Sequence, residues 1–577
     1  MSGENRETSL FEVELDFENP SPWVRPNRPW EKWYREATYE GWKVNIPKTI
    51  KYPEIPIHFF GRQAAEDYPN NVAVYHKPTE KKYTYREFMY NSDKISAALA
   101  DIGIRKDDSV AVYMANCPEF VFSLYGITQT GAAVTPINPL LKAPDIAHIV
   151  RDSGIIQTLI CTSDLYPMVE KALEEVELEN VIVVGEKKPG TVDFWELVGK
   201  YPPKPPEVTI NPKEDVCALL YTGGTTGLPK GVMLTHYNVV AEVIAALRTQ
   251  VGNYSSVAGK GTVIATLPIC HSFGFTMVQV YVYGKAMMIM YAGFDPETLM
   301  GDIEKYKSQA FAGVPVMYFL IINHPNFGKY DLSSLKVAVS AADTLQTVVY
   351  EKWKKVTGLD VGQAYGLTEA TSGTHTQPPW LPKIGNSIGI PLLDTDAKIV
   401  DLETGTKELP PGEIGEIMVR GPQVMKGYWE QSDKTKEILT EDGWLHTGDL
   451  GRMDENGYFY MEGRLKDIIK YKGYKVMPDD VEGELLKHPA VLECAVIGVP
   501  DPKVGETIKA FIVLKEEYRG QINEQEIVDW AKENLAGYKW PRKVEFISAL
   551  PRTLVGKLFR RKLREMGAAK TSKKARK

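Results

Sequence analysis

Apolar and polar positions along the first third of the chain alternate between short apolar runs and longer amphipathic segments. The apolar runs predict strands at residues 109–114, 132–138, 158–162 and 180–185. The amphipathic segments predict helices between them, at residues 118–131, 144–154 and 166–176. Because strands and helices alternate, the pattern predicts an α/β fold with parallel sheets that helices cover on both faces. In such sheets, ligands bind at the carboxyl ends of the strands.

The pattern changes between about residues 387 and 462, where short apolar stretches alternate with turns. One of these turns contains Asn456-Gly457, a dipeptide that favours tight hairpins. This part is therefore predicted to be a β-rich, antiparallel, barrel-like subdomain. Beyond it, the pattern predicts a small α+β unit with helices at 481–487 and 524–534 and strands at 492–498 and 508–514.

These patterns predict that a large domain precedes a small one. The large α/β domain is expected at residues 51–463, and it includes the β-rich subdomain. The other segments are an N-terminal arm at 1–50, a hinge at 464–467, a C-terminal α+β domain at 468–566 and a basic tail at 567–577. The arm is rich in Trp, Tyr and Pro, and its pattern indicates no function.

Composition narrows the class of protein. The 577 residues are 43% hydrophobic and 25% charged, which is usual for globular proteins. The net charge of −7 argues against a nucleic-acid partner, because proteins that bind nucleic acid usually carry a basic excess. The cysteines include no CxxC pair, so neither a zinc site nor a disulfide framework is expected.

The chain lacks the patterns that are typical of secretion and membrane insertion. Its first residues, MSGENRETSL, have no basic region followed by an apolar one. The longest apolar run, near residues 310–322, is too short to span a bilayer. We therefore expect a cytoplasmic protein without a transmembrane segment. The basic residues 570–577 are interpreted as a solvated tail, with contact to anionic lipid or to a partner as the alternative.

A glycine-rich segment, YTGGTTGLPKG at residues 221–231, lies between two runs that predict strands. Its glycines allow a ligand to approach the backbone closely, and its N–H groups, hydroxyls and lysine suit anionic oxygens. The predicted phosphate contacts are Thr222, Gly223, Gly224, Thr225, Thr226, Gly227 and Lys230. A Walker A loop would need Gly-Lys-Ser/Thr leading into a helix, and here Leu228 and Pro229 interrupt that pattern. A glycine-rich surface hairpin is the remaining alternative.

The glycine-rich segment resembles the signature of the adenylate-forming enzymes, which include acyl-CoA synthetases, luciferases and peptide-synthetase adenylation domains. Further segments resemble motifs of this family in the family's order: PICHSFGF (268–275), YGLTE (365–369), GWLHTGDL (443–450), GRLKDIIKYKGYKV (463–476) and LPRTLVGKLFRRKLR (550–564). The resemblance covers residues 55–566 approximately. It implies an enzyme most similar to an AMP-forming medium- or long-chain fatty-acid–CoA ligase, which uses ATP, Mg²⁺ and coenzyme A.

The resemblance implies nucleotide contacts in several of these motifs. Tyr365 would stack on adenine, Thr368 would bind the α-phosphate and Glu369 would hold Mg²⁺. Asp449 would accept hydrogen bonds from both ribose hydroxyls, and Arg464 would back the same ribose from the domain joint. Further nucleotide contacts are implied at Ala341, Gln363, Ala364, Gly366 and Leu367. Taken singly, Glu369 could be a surface carboxylate and Asp449 a turn residue.

The same resemblance assigns one lysine to each of two half-reactions. Lys557 would bridge the substrate carboxylate and the α-phosphate, although in isolation it could be a solvated lysine. The small domain would then turn about Lys466 and bring Lys470 to the site for attack by coenzyme A. Gly473 would let the pantetheine arm pass because it has no side chain. His271 would gate the acyl pocket, with a core histidine as the alternative.

The expected acyl channel is apolar. It is drawn from residues 273–275, 314–319 and 341–342, which contain no lysine or arginine that could pair with a second charge on the acid. A medium- or long-chain fatty acid is therefore the expected substrate. A short hydroxy acid and an aryl acid such as a cinnamate are the alternatives. The sequence Ser340-Ala341-Ala342-Asp343 stands where the family often has a glycine pair, which could narrow or polarise the pocket.

Two other classes of function remain to be separated. A P-loop NTPase or transporter subunit is disfavoured by the Leu-Pro insertion before Lys230. A non-catalytic scaffold that binds nucleotide is disfavoured because Lys557, Glu369 and Asp449 are all present. Acid-dependent exchange of labelled pyrophosphate into ATP distinguishes the three classes.

The motif around Lys557 leads to a first prediction. Lys557→Ala should lower acyl-adenylate formation by roughly 10²–10⁴-fold, because a charge contact to the transition state is lost. Thioester formation from supplied acyl-adenylate should largely survive. Single-turnover measurement of each half-reaction tests this, and an equal loss in both would contradict the assigned role.

Overall fold

The computed structural model describes residues 10–39, 42–222, 228–251, 258–501, 503–553 and 558–574. The elements up to the glycine-rich segment are β1 (Glu14–Asp16), α1 (Glu31–Glu36), β2 (Thr38–Tyr39), β3 (Trp42–Lys43), β4 (Thr49–Lys51), α2 (Phe59–Asp67), β5 (Val72–His76), β6 (Lys81–Thr84), α3 (Tyr85–Asp101), β7 (Ser109–Tyr113), α4 (Pro118–Gln129), β8 (Ala133–Ile137), α5 (Ala143–Ser153), β9 (Ile156–Thr162), α6 (Tyr166–Ala172), β10 (Asn180–Val184), β11 (Val192–Asp193), α7 (Phe194–Gly199) and β12 (Val216–Thr222).

Beyond that segment the elements alternate in the same way until the β-rich part and the C-terminal unit. They are β13 (Lys230–Thr235), α8 (His236–Val251), β14 (Thr262–Ala265), α9 (Ser272–Tyr283), β15 (Met287–Met290), α10 (Pro296–Tyr306), β16 (Ala310–Gly313), α11 (Pro315–Ile322), β17 (Val337–Ser340), α12 (Thr347–Thr357), β18 (Val361–Tyr365), β19 (His375–Thr376), β20 (Ser387–Pro391), β21 (Asp396–Val400), β22 (Gly415–Arg420), β23 (Gly427–Tyr428), α13 (Ser432–Ile438), β24 (Leu445–Met453), β25 (Phe459–Arg464), β26 (Ile469–Tyr471), β27 (Tyr474–Val476), α14 (Pro478–Leu485), β28 (Val491–Asp501), β29 (Gly505–Leu514), α15 (Glu524–Asn534), β30 (Lys543–Phe546) and α16 (Arg560–Lys574).

The first sheet is parallel over most of its width, and its strand order is β11-β10-β9-β7-β8-β12-β13-β23. The strands and connecting helices predicted from the alternating pattern are present as β7–β10 and α4–α6. Every residue of β7 and β8 is buried, because helices cover both faces of a parallel sheet. The prediction of an α/β fold is confirmed.

The second sheet joins parallel and antiparallel strands. Its order is β21-β22-β24-β25-β20-β19-β18-β17-β16-β14-β15-β5-β6. The strands β18, β17, β16, β14, β15 and β5 are parallel, whereas β19 to β25 pair antiparallel. The β-rich part is therefore antiparallel as predicted, and it is hydrogen-bonded to the parallel strands through β19 as an extension of the same sheet.

Three strands end beside segments that the sequence analysis selected. β12 ends at Thr222, β17 ends at Ser340 and β18 ends at Tyr365. Ser340 and Gln363 are register partners, so the segments that follow β17 and β18 begin side by side. This arrangement places the motifs at the edge where parallel sheets usually bind ligands.

The C-terminal unit has its own sheet and its own core. β27, β26, β29 and β28 form antiparallel pairs, and β30 lies parallel to β29. Helices α14 and α15 pack on a core that includes Val496, Ile508 and Ile512. α16 continues through residue 566, where the basic tail was expected to begin. Among the described residues, no helix combines the length and hydropathy that a bilayer crossing requires.

The N-terminal arm packs on the β-rich part through a buried carboxylate, Asp394. The Asp394 carboxylate accepts hydrogen bonds from the hydroxyls of Ser21, Thr49 and Tyr52 and from the N–H of Ile50, at 2.5–3.0 Å. Only 2% of Asp394 is exposed. A buried carboxylate is stable only when its oxygens are hydrogen-bonded, so these donors and Asp394 depend on one another.

This dependence leads to a prediction about stability. Asp394→Ala should lower the free energy of unfolding by about 3 kcal/mol, because several buried donors lose their acceptor. Thr49→Val, which removes one of the donors, should cost about 1 kcal/mol. Urea unfolding of both variants measures the difference, and equal losses would show that Asp394 is not the centre of the contact.

Candidate active site

The glycine-rich segment connects two antiparallel strands. β12 ends at Thr222 and β13 begins at Lys230, and these residues are register partners. The predicted phosphate contacts Gly223, Gly224, Thr225, Thr226 and Gly227 lie outside the described residues. The strand that follows Lys230 confirms that the segment does not lead into a helix as a Walker A loop does.

Tyr428 connects the hairpin of β12 and β13 to Glu369. β23, which contains Tyr428, pairs with β13. The Tyr428 hydroxyl donates to Oε1 of Glu369 at 2.8 Å, and Nζ of Lys230 lies 4.7 Å from the centroid of the Tyr428 ring. Burial and the charge of Glu369 raise the pKa of Tyr428, so its hydroxyl stays protonated and continues to donate. The cation Lys230 and the carboxylate Glu369 therefore lie at the opening of the hairpin, where β12 ends and β13 begins.

The segment at residues 365–369 leaves β18 through a tight turn. A Cβ at Gly366 would lie 1.5 Å from the carbonyl oxygen of Ser372, so this backbone contact requires glycine. The Thr368 hydroxyl donates to Oγ of Ser272 at 3.3 Å, which joins the turn to the first residue of α9. Leu367 is half-buried and precedes the short 3₁₀ turn that contains Thr368 and Glu369.

Ala341, Gln363 and Ala364 lie at the same edge of the second sheet. Ala341 is buried, and its N–H donates to the Gly313 carbonyl at 3.2 Å. Oε1 of Gln363 accepts from the N–H of Leu345 at 3.0 Å. Ala364 is a register partner of Thr376 in β19. The structure thus brings these residues together beside Tyr365, and their nucleotide contacts stay predictions.

Asp449 is buried between the nucleotide motif and the domain joint. Its Oδ2 accepts from the Tyr365 hydroxyl at 2.8 Å, and its Oδ1 lies 3.1 Å from Nε of Arg464. Burial and the charge of Asp449 raise the pKa of Tyr365, so the phenol remains a donor. The predicted adenine, ribose and joint residues are therefore in direct contact, with both oxygens of Asp449 engaged by the protein.

His271 directly precedes α9 as its N-cap residue and is half-buried. Its Nδ1 accepts from the N–H of Phe273 at 3.3 Å, so it caps the helix. The predicted channel residues Phe273, Val314, Met317 and Ala342 collect in one apolar cluster next to it. Phe275 packs in the larger core of the domain instead. The gating role of His271 stays a prediction.

Lys470 and Gly473 lie on a short hairpin of the C-terminal unit. Lys470 is exposed, and its N–H donates to Oε2 of Glu506 at 2.7 Å. Lys472 and Gly473 connect β26 to β27 with φ angles of 50° and 85°, as a type I′ turn requires. Gly473 therefore has a conformational reason to be glycine beside the one that the sequence suggested. Lys557 lies outside the described residues.

The domain joint is fixed on both sides. Arg464 is held to the large domain by Asp449, whereas Asp467 contacts the C-terminal helix α16. Oδ1 of Asp467 lies 2.5 Å from Arg564, and its Oδ2 lies 3.7 Å from Arg560. Leu465 and Lys466 are exposed between these two anchors.

The sequence analysis did not select Tyr428 or Ser272 as site residues. Tyr428 contacts Glu369, which is 59 positions away in the sequence, and Ser272 contacts Thr368, which is 96 positions away. Ser272 lies inside the selected segment PICHSFGF, so that motif was a usable signal. Nothing local in the surroundings of Tyr428 indicates that β23 joins the first sheet.

Comparison with known proteins agrees with this geometry. The family model of the AMP-binding enzyme matches residues 61–429, and that of the AMP-binding enzyme C-terminal domain matches residues 480–557. A long-chain-fatty-acid–CoA ligase of Bacillus subtilis is 36% identical over 90% of this chain and 96% of its own length. A feruloyl-CoA synthase of an Amycolatopsis species is 34% identical over 86% of this chain and 96% of its own length.

A solved structure shares the whole architecture. The anthranilate CoA ligase AuaEII in complex with anthranoyl-AMP has a TM-score of 0.80 and 29% identity, over 90% of this chain and 98% of that one. The large sheet domain and the small C-terminal domain are therefore both those of an adenylate-forming enzyme, as the motifs indicated. The chain belongs to the AMP-binding enzyme family.

Proposed function

We propose that the protein is an AMP-forming acyl-CoA synthetase whose acid is a medium- or long-chain fatty acid. The observation that carries this proposal is the cation and carboxylate, Lys230 and Glu369, placed on either side of Tyr428 at the opening of the hairpin. A nucleotide triphosphate needs local positive charge and a carboxylate for its divalent cation. The Bacillus subtilis relative supports the choice of acid.

In the first half-reaction, a carboxylate oxygen of the acid attacks the α-phosphorus of ATP, and the bond to pyrophosphate breaks. Both reacting groups are anionic, so their approach requires positive charge nearby. Lys557 supplies that charge in this proposal, and Thr368 donates to the α-phosphate. The contact between Thr368 and Ser272 supports this role, because it positions the hydroxyl beside the first residue of α9. When Thr368 donates to the phosphate, Ser272 becomes the donor in this contact.

The residues present fit a magnesium ion that arrives with ATP. Glu369 has one oxygen fixed by Tyr428, which orients the carboxylate, and carboxylate oxygens are preferred ligands of Mg²⁺. Among the described residues there is no cluster of three or more His, Cys, Asp or Glu side chains suited to a metal. A site with one carboxylate is typical of Mg²⁺ held mainly by phosphates and water. When bound, the ion would neutralise phosphate charge.

In the second half-reaction, the thiol of coenzyme A loses its proton to solvent, its sulfur bonds to the acyl carbonyl carbon, and the bond from that carbon to the phosphate oxygen of AMP breaks. Lys470 assists this step in the proposal, and it lies on β26 of the C-terminal unit. The joint supports a turn of that unit, because Asp467 is anchored to α16 and Arg464 to the large domain. Rotation would then fall on Leu465 and Lys466, which have few dihedral angles to absorb it.

The apolar cluster of Phe273, Val314, Met317 and Ala342 supports an aliphatic acid. Apolar surroundings favour each additional methylene and give no counter-charge for a second carboxylate. An aryl acid is the second candidate, because the Amycolatopsis relative is a feruloyl-CoA synthase of comparable similarity. Acid-dependent pyrophosphate exchange over a panel of alkanoates and cinnamates distinguishes the two. No exchange with any acid would refute the proposed function.

Chain length provides a prediction. Octanoate and longer acids should have a higher kcat/KM than acetate, since each buried methylene contributes about 0.8 kcal/mol. Steady-state release of AMP with saturating ATP and coenzyme A measures this ranking. If acetate or a hydroxybutyrate were the best substrate, the prediction of a pocket for a longer aliphatic chain would be wrong.

The joint provides another prediction. Lys466→Pro should leave acyl-adenylate formation in place and lower thioester synthesis by at least about tenfold, a barrier change of about 1.4 kcal/mol. Proline fixes φ near −65° and restricts the residue before it, so one orientation of the domain is favoured. Lys466→Ala, which removes the side chain but keeps the backbone free, is the matched control. Single-turnover rates that fall equally in both half-reactions would indicate destabilisation instead.

A further inference from the structure

Glu242 is a buried acid that the proposed mechanism does not use. It lies on α8 with 2% of its surface exposed. Its Oε1 accepts a hydrogen bond from the N–H of Gly373 at 2.7 Å. Its Oε2 is fully buried and has no hydrogen-bond partner among the described residues. An acidic side chain is almost never buried in this way unless it is paired, so the position calls for an explanation.

Gly373 belongs to the segment at residues 371–374, which packs against the nucleotide motif at residues 365–369. The carbonyl oxygen of Ser372 lies against Gly366, where even a Cβ would not fit. The N–H of Thr374 donates to the carbonyl oxygen of Tyr365 at 2.9 Å. The neighbours of Gly373 on both sides are therefore in backbone contact with the start of the turn that leads to Thr368 and Glu369. A Cβ at Gly373 would itself lie only 2.9 Å from Oε1 of Glu242.

The same segment contains a strained residue. Thr371 is fully buried and has φ 62° and ψ −59°, which a β-branched side chain rarely adopts. Its hydroxyl donates to the carbonyl oxygen of Gln423 at 2.8 Å. Strained backbone persists only where the surroundings hold it, and such sites cluster near active centres. Thr371 lies midway between Glu369 and Gly373, so the contact of Gly373 with Glu242 is one of the restraints that hold it.

We propose that Glu242 is a positioning residue for adenylation. Its carboxyl group holds Gly373, and through the strained Thr371 it keeps Thr368 and Glu369 in place at the phosphate hairpin. This inference rests on the proposed function, because it assigns Glu242 to the same site. It adds a group that touches neither the nucleotide nor the acid.

The surroundings of Glu242 determine its charge. Among the described residues no charged side chain contributes to its pKa, and burial raises the pKa of Glu242 to about 8. The titratable group that faces it is Tyr52, just after the N-terminal arm, whose pKa burial raises far above its usual value. Tyr52 is therefore neutral near pH 8, and Glu242 carries its proton at pH 7.

Ionisation of Glu242 would place an uncompensated charge in the core. The folded protein holds this proton more tightly than the unfolded chain, so its contribution to stability is present below the ordinary pKa of a glutamate and lost as the pH rises towards 8. Opening of the segment at residues 371–374 to water would relieve the charge. Adenylation should then fall on the alkaline side of pH 8 because Thr368 and Glu369 lose their support.

The test compares wild type with Glu242→Gln and Glu242→Leu in pyrophosphate exchange with octanoate between pH 6 and 10. Wild type should lose activity with an apparent pKa near 8. Glu242→Gln keeps an acceptor for Gly373 and cannot ionise, so at pH 7 it should stay within about threefold of wild type and lose the alkaline limb. Glu242→Leu removes the acceptor and should fall about tenfold at every pH, a barrier change of about 1.4 kcal/mol.

Gln279→Leu is the matched control, because Nε2 of Gln279 is likewise buried without a partner among the described residues and the residue lies on α9, which packs on α8. It should keep the alkaline limb of wild type. Thermal unfolding of each variant shows whether it is folded. If Glu242→Gln kept the alkaline limb, or if Glu242→Leu changed only the ranking of acids, Glu242 would not be the positioning residue.

ATP affinity provides a readout that needs no acid. Calorimetric titration with MgATP should show weaker binding by wild type above pH 8 and no such loss for Glu242→Gln. If no acid supported exchange in wild type, the proposed function would fail, and the pH dependence of ATP affinity would still decide the role of Glu242. An ATP affinity that responds to pH identically in both proteins would overturn the inference.

Discussion

The contact that the site depends on most is the pair of bonds made by the buried carboxylate of Asp449. One oxygen holds the hydroxyl of Tyr365 at the end of β18, and the other holds Arg464 at the entrance to the domain joint. A nucleotide motif and a hinge that lie far apart in sequence therefore share one acid. Any change in the position of Asp449 affects both places, because its buried carboxylate has one oxygen in each contact.

The parallel core and the C-terminal unit could be predicted from the sequence because their signals are local. Strands such as β7 are continuous apolar runs and helices such as α15 show a helical period, and the alternation of the two determines the class of sheet. The extension of the second sheet through β19 could not be predicted in this way. β19 contains only His375 and Thr376, which is too short for any period, and its pairing depends on residues on both sides of it.

The residues of the candidate site likewise divide into those that motifs identify and those that only the fold identifies. Lys230, Thr368, Glu369 and Asp449 lie within recognisable motifs, so the resemblance identified them without any knowledge of their neighbours. The residues that fix them, Tyr428 and Glu242, come from a β-strand pairing and from a helix whose pattern indicates only a core. A buried acid on an apolar helix looks like an isolated exception in a sequence. Its meaning becomes visible only when the N–H of Gly373 is seen in contact with it.

The arm held by Asp394 has a consequence for how the protein is made. Thr49 and Asp394 are 345 positions apart, so the arm leaves the ribosome long before its acceptor exists. At usual rates of synthesis this interval is roughly 20–70 s. During that time Trp30, which is buried against Phe459 in the finished fold, has no surface to cover it. The nascent chain therefore exposes a Trp- and Tyr-rich segment for longer than most domains need to fold, which makes it a natural substrate for chaperones during synthesis.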